Sequence, residues 1–204
     1  MELELQPRHG HALDVFAEAG GTLRTREALD AGIHPRDLYA LRDSGELDQV
    51  SRGVYRLASL PPLGEPDLVT VAMRVPKAVI TLISALHFHD LTNEIPQAVS
   101  IALPRGTATP RLDWPPIDVH RYSGERYTYG VETHYLDGVP VRIFSVAKTL
   151  ADCFRFRSQI GTDVAVEALR DTLAERKATP AEIMRAARVC AVDKVVLPYL
   201  EAVL

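Results

Sequence analysis

An α+β fold is predicted: a winged helix-turn-helix at the N-terminus, then a small mixed sheet and a C-terminal helical bundle. Three observations predict it. Residues 22–57 read as a helix, a tight turn, a second helix and two short strands. Residues 99–144 hold about four apolar or alternating segments of strand length. From Ser145 onward, apolar residues recur at helical spacing between cap signals.

Each element follows from local chemistry. Residues 7–19 read as the first helix, with Leu13, Phe16 and Ala17 as its inward stripe and Gly20-Gly21 as its stop. Thr25 is placed to cap a helix over 26–31, with Ala28 and Leu29 on its buried side. Gly32 ends that helix, Ile33 plugs the turn, and Pro35 suits the first turn of the next helix. Leu38 and Leu41 face inward there, which leaves Arg36, Tyr39, Arg42 and Asp43 toward the other side. Ser44-Gly45 stops the helix. Residues 47–50 and 54–57 read as strands joined by Ser51-Arg52-Gly53, with the arginine at the tip.

A Pro/Gly-rich connector, Ala58–Pro66, marks the boundary between a winged domain of residues 1–60 and an α+β domain of residues 61–204. Beyond it, residues 67–75 are helix-compatible and residues 79–91 read as one buried helix. Strands are expected over 99–103, 117–122, 131–135 and 139–144, the last two joined through Asp137-Gly138, a hairpin cue. Trp114, the single tryptophan, is expected to anchor the proline-rich loop 104–116. Ser145 caps a helix over 146–156. A second helix covers 163–177, a third opens at Thr179-Pro180-Ala181-Glu182 with a capping box, and a fourth spans 192–204 with Pro198 interrupting it.

Bulk properties exclude several classes. At 204 residues and 47% hydrophobic content the chain has the means for a real core. No apolar run reaches membrane-span length, and the acidic opening MELELQPRHG is unlike a secretory signal. Cys153 and Cys190 lie in helix-like segments, as expected of buried, reduced thiols rather than a disulfide framework. These features place the protein in the cytoplasm.

The winged segment points to DNA. A major-groove helix needs long polar side chains on one face; Arg36, Tyr39 and Arg42 supply it, with His34 beside them. Arg52 is placed for phosphate or the minor groove, and Arg24 and Arg26 for backbone phosphates. The charge balance runs the other way. Residues 1–60 hold seven arginines, no lysine and ten acids, a net charge of −3 within a chain of net charge −4. DNA binding therefore requires the arginines gathered on one face and the acids turned away, and it should be modest and salt-sensitive. The alternative is a module for protein contacts whose arginines are solvated surface.

Other patterns carry less. His9 and His11, and His87 and His89, are two apart and do not share a helical face, so no metal site is expected. Ser145-x-x-Lys148 has the serine–lysine spacing of some acyl-transfer enzymes but lacks its companion motifs. Glu175-Arg176-Lys177 has the acid-x-lysine form of metal nucleases but ends a helix instead of lying on a strand. No phosphate-binding glycine loop is present, and no cofactor is expected. Residues 141–190 carry a net charge of +3, with Lys148, Arg155 and Arg157 on or just past the helix after Ser145. That patch suits an acidic partner, a nucleic acid or a solvated face.

The stretch GGTLRTREALDAGIHPRDLYALRDSGELDQVSRGVYRL resembles the N-terminal domain of the AbiEi-family antitoxins of type IV toxin–antitoxin systems. The segments ASLPPLGEPDLVTVAMRVPKAVITLISALHFHDLT, VSIALPRG and GVPVRIFSVAKTLADCFRFRSQIG resemble the rest of that family's chain. The resemblance implies a winged domain that binds and represses its own promoter. It implies a C-terminal domain that antagonises a nucleotidyltransferase-like toxin without a stable complex. Carried over, residues 35–44 would be the recognition helix and residues 51–53 the wing. Lys148, Arg155 and Arg157 would belong to the antitoxin surface. The expected function is thus a DNA-binding autorepressor and antitoxin, not an enzyme, with double-stranded DNA as partner, bound by one copy or by a pair, and no membrane. The rivals are a metal-dependent nuclease-like enzyme relying on Glu175 and Lys177, and a protein-interaction adaptor.

Overall fold

The computed structural model describes residues 5–204. Residues 1–4, part of the opening compared above with secretory signals, lie outside the described residues. Contacts divide the chain into two units, Met1–Pro76 with Tyr135–Pro140, and Lys77–His134 with Val141–Leu204.

The first unit begins with α1 (Leu5–Glu18), β1 (Thr22–Arg24), α2 (Thr25–Asp30) and α3 (Pro35–Asp43). It continues with β2 (Leu47–Ser51), β3 (Val54–Leu57) and α4 (Pro66–Arg74). The three strands form an antiparallel sheet in the order β1-β3-β2. Its core is Ala12, Phe16, Leu23, Ala28, Ile33, Leu38, Leu41, Leu47 and Tyr55, all buried. The expected buried stripes shift slightly. Ala12 and Phe16 carry the inward face of α1 while Ala17 is exposed, and on α2 Ala28 is buried while Leu29 is 40% exposed. A helix of only six residues can bury one narrow stripe, and Ala28 fills it. Thr25 is the first residue of α2, not its cap. The free N–H of the preceding Arg24 is taken by the Glu27 carboxylate at 2.8 Å. Gly32 (φ +89°) and Gly45 (φ +80°) take the left-handed backbone that ends α2 and α3.

The second unit contains β4 (Val79–Ile80), α5 (Leu82–Phe88), β5 (Val99–Pro104), β6 (Ile117–Tyr122) and α6 (Glu125–Thr128). The hairpin β7 (Val131–Leu136) and β8 (Val139–Phe144) follows, its tip Tyr135–Pro140 being counted with the first unit. Next come α7 (Val146–Arg155), α8 (Arg157–Ile160), α9 (Thr162–Ala174), α10 (Pro180–Cys190) and α11 (Asp193–Val203). The sheet is mixed and five-stranded, in the order β6-β5-β4-β8-β7. β4 runs antiparallel to β5 and parallel to β8, and β5 runs parallel to β6.

The central strand is the main departure from the sequence reading. Residues 79–91 do not form one helix: Val79 and Ile80 pair with Ala102 and Ile101, and the helix starts only at Leu82, which sits at φ +48°. A short apolar run fits a buried strand or a buried helix equally well, and the flanking strands decide. Trp114 does not anchor its loop; it is 67% exposed. Pro198 does not interrupt α11, whose buried Val196 and Leu200 hold the helix to the core on either side of the missing N–H. α9 stops at Ala174, short of Lys177, because Arg176 turns left-handed at φ +57°. Helices α5, α7, α9, α10 and α11 share one apolar core that includes both cysteines, which are free and buried. No described helix is long and apolar enough to cross a membrane.

Candidate nucleic-acid interface

The interface is built on α3. Pro35 occupies its first turn, and the His34 Nδ1 before it accepts from the Arg36 N–H at 3.1 Å, closing the helix start. Leu38 and Leu41 are fully buried, which turns Arg36 and Tyr39 outward; Tyr39 is 45% exposed. Arg42 is half-exposed. Its guanidinium lies over the Tyr39 ring, 5.2 Å from the centroid, and donates through Nε (2.8 Å) and Nη2 (2.6 Å) to Oδ1 of Asp43.

The β2–β3 turn carries Arg52 at an exposed tip, with Gly53 at φ +76° closing it. The Gly53 carbonyl accepts from the Thr25 N–H at 2.9 Å, so the turn is tied to the start of α2. Arg74 on α4 donates from Nη1 to the Arg52 carbonyl at 2.6 Å and steadies the turn from the far side. Arg26 is almost fully exposed, 3.7 Å from Asp30. Arg24 is engaged: its Nη2 lies 2.6 Å from Glu27. Burial pushes the Glu27 carboxyl up, but the Arg24 hydrogen bonds and charge outweigh it and leave it below the usual carboxylate range.

Arg24, Arg26, His34, Arg36, Tyr39, Arg42 and Arg52 thus all lie within a single unit, on α3, on the turn, or at the start of α2. The acids are not all turned away: Glu27 and Asp43 sit against the arginines themselves. Sequence reasoning missed Arg74, whose partner is 22 residues away. It also missed the service of Asp43, which is adjacent to Arg42 but signals nothing until a rotamer is seen.

In the second unit the expected cationic patch does not assemble. Lys148 is wholly buried and ion-paired with Asp152, so it belongs to no surface. The sign of the charge was readable, but an i, i+4 acid allowed it to be neutralised inside the core. Arg155 spends Nη1 on the Cys190 carbonyl (3.0 Å) and Arg157 on the Phe154 carbonyl (2.9 Å), each serving a helix end. Ser145 caps α7, its Oγ accepting from the Lys148 N–H at 3.4 Å. Lys177 is a strut: its ammonium reaches Glu175 at 2.7 Å and donates to the His89 (2.6 Å) and Asp90 (3.3 Å) carbonyls. Among the described residues, no group of three or more His, Cys, Asp or Glu side chains is arranged to hold a metal ion.

The first unit thus carries two short helices joined by a turn, an arginine-tipped strand turn and an Arg/Tyr outer face on α3. Residues 12–58 match the AbiEi antitoxin transcriptional regulators. The match covers β1, α2, α3, β2 and β3 completely, with the second half of α1, and so includes every candidate DNA-binding residue. Over those residues the chain is similar to the AbiEi antitoxin transcriptional regulators. Among solved structures, the RV2827C protein of Mycobacterium tuberculosis is similar across 94% of this chain and 81% of its own, with a TM-score of 0.57 and 13% identity. At that identity the likeness is one of fold, spanning both units. None of the curated proteins matches.

Proposed function

We propose that the protein is a DNA-binding transcriptional autorepressor and the antitoxin of a type IV toxin–antitoxin system. Residues 1–60 would read the promoter of its own operon, and residues 61–204 would antagonise a nucleotidyltransferase-like toxin without a stable complex. One observation carries the reading: the outer Arg36–Tyr39–Arg42 face of α3 and the exposed Arg52 tip both lie inside the segment that matches the AbiEi regulators.

In this reading α3 enters the major groove, where arginine and polar aromatic side chains reach base edges. Arg52 meets phosphate or the minor groove, and Arg26 and Arg24 meet the backbone, Arg24 by exchanging Glu27 for a phosphate oxygen. Two copies on an inverted repeat would place two such helices one helical turn apart. Arg155 and Arg157 remain the candidates for the antitoxin surface; the protein acts in the cytoplasm and has no catalytic role.

The test is a mobility shift of the purified protein on DNA from upstream of its own gene, at two salt concentrations, beside an unrelated fragment. Selective, salt-sensitive retardation supports the reading. Equal binding to both fragments, or none at low salt, refutes it.

A further inference from the structure

We propose that Asp43 and Tyr39 hold the Arg42 guanidinium as a preformed fork for guanine, with Asp43 the residue that sets its selectivity. This rests on the reading of α3 as the DNA-contacting helix.

A guanidinium has two edges for pairwise donation: a side edge made by Nε and one Nη, and an end edge made by the two Nη atoms. Asp43 takes the side edge. Nε and Nη2 both donate to its Oδ1, at 2.8 and 2.6 Å. Tyr39, one helical turn earlier, presents its ring at 5.2 Å from Cζ and fixes the plane. The Tyr55 phenol also lies near this guanidinium, but the hydrogen bonds Arg42 makes among the described residues run from Nε and Nη2 to Asp43, and the end edge, Nη1 with the second hydrogen of Nη2, carries none of them. Two parallel N–H groups of that spacing match the N7 and O6 acceptors of guanine in the major groove. They do not match adenine, which sets a donor where guanine has O6.

Asp43 is otherwise hard to account for. Its side chain is 66% exposed on the face that would approach a polyanion, where a carboxylate repels phosphate. Holding a long, flexible side chain in its binding rotamer is a physical reason for an acid there, because the ordering cost is met before DNA arrives. The carboxylate weakens non-specific binding and sharpens specific binding at the same time, so one residue raises the ratio from both sides.

The experiment uses the full chain and DNA from upstream of its own gene, with each guanine replaced in turn by 7-deazaguanine, which lacks the N7 acceptor. Wild type, Arg42→Ala and Asp43→Asn are compared by quantitative mobility shift, with circular dichroism as a check on folding. The expected result is at least one guanine whose replacement weakens wild-type binding roughly tenfold. The same replacement has no effect on Arg42→Ala. Asp43→Asn binds an unrelated fragment as tightly as wild type or tighter, yet loses much of its preference for the upstream DNA. If wild type binds selectively but no guanine shows this pattern, the fork is refuted and the DNA-reading assignment stands. If Asp43→Asn tightens both fragments equally, with the preference unchanged, Asp43 only repels phosphate and the proposal fails. If wild type shows no selectivity, the underlying assignment fails with it.

Discussion

Lys148 and Asp152, one turn apart on α7, form an ion pair with both side chains wholly buried. The ammonium also lies over the Phe144 ring, 4.0 Å from its centroid, and 4.9 Å from that of Tyr122. The second carboxylate oxygen accepts from the Cys190 thiol at 3.3 Å. Burial pushes the Asp152 carboxyl up, and the Lys148 charge and hydrogen bond oppose that rise. Each charge is tolerated only because the other is there. Lys148→Met should therefore destabilise the protein by about 3–5 kcal/mol, since it strands a buried carboxylate. The double variant Lys148→Met/Asp152→Leu should recover much of that loss. Urea denaturation of the three proteins decides it; a double variant less stable than the single one would show that the pair is worth more than its replacement by apolar contacts.

His89 predicts an acid-sensitive fold. It caps the end of α5 and its Nε2 lies 2.8 Å from the Phe144 carbonyl. Burial lowers its pKa, with the Phe144 carbonyl opposing. The unfolded chain thus takes up a proton before the folded one does. The neutral ring costs nothing above the usual histidine value of 6.5, and stability falls as pH drops below it. The thermal midpoint should decline between pH 7 and pH 5, and His89→Gln should flatten that part of the curve.

At the start of α10 the Thr179 hydroxyl accepts from the Glu182 N–H (3.3 Å), and the Glu182 carboxylate accepts from the Thr179 N–H (2.8 Å). The backbone and hydroxyl bonds from Thr179 hold the Glu182 carboxyl below its usual range. Thr179→Ala should lower stability by about 1 kcal/mol in a denaturant titration. Part of the capping contribution should disappear in wild type as pH falls below the usual glutamate value of 4.5, because protonation removes the charge that accepts.

Gly130 sits at φ +68°, and a Cβ there would fall 2.7 Å from the Lys148 Cβ and 2.9 Å from the Ser145 Oγ. Gly130→Ala combines an unfavourable backbone region with an overlap on the start of α7. A loss of about 1–3 kcal/mol is expected. Calorimetry on the variant would read it as a lowered midpoint.

On DNA, Arg52→Ala should weaken binding by a similar factor on the upstream fragment and on unrelated DNA. The slope of log affinity against log salt should become shallower by about 1. A change confined to the upstream fragment would move Arg52 from phosphate contact to base reading.

The winged segment was readable because its signals are local. Gly32, Pro35, Gly45 and Gly53 act within a turn of themselves, and Leu38 and Leu41 declare the inner face of α3 by spacing alone. The same holds for the Asp137-Gly138 hairpin, where both residues take positive φ, and for the Thr179–Glu182 cap. The outward placement of Arg36 and Tyr39 follows by subtraction once the leucines are placed.

Tertiary structure decided what depends on neighbours far along the chain. The β-branched run Val79-Ile80-Thr81 leans toward strand, but Val79 and Ile80 become the central strand only because β5 and β8 offer backbone partners on both sides. Lys148 lies inside because Asp152, Cys190, Phe144 and Tyr122 converge on it from α7, α10, β8 and β6. Arg74 supports the β2–β3 turn from a separate helix. The sequence by itself determined where α2 and α3 stop, where α7 and α10 begin and which residues of α3 face outward, since capping, glycine stops and apolar spacing act over four residues or fewer. Packing alone decided which charges are surface and which are core, because the desolvation of an ionised side chain is settled by every group that surrounds it.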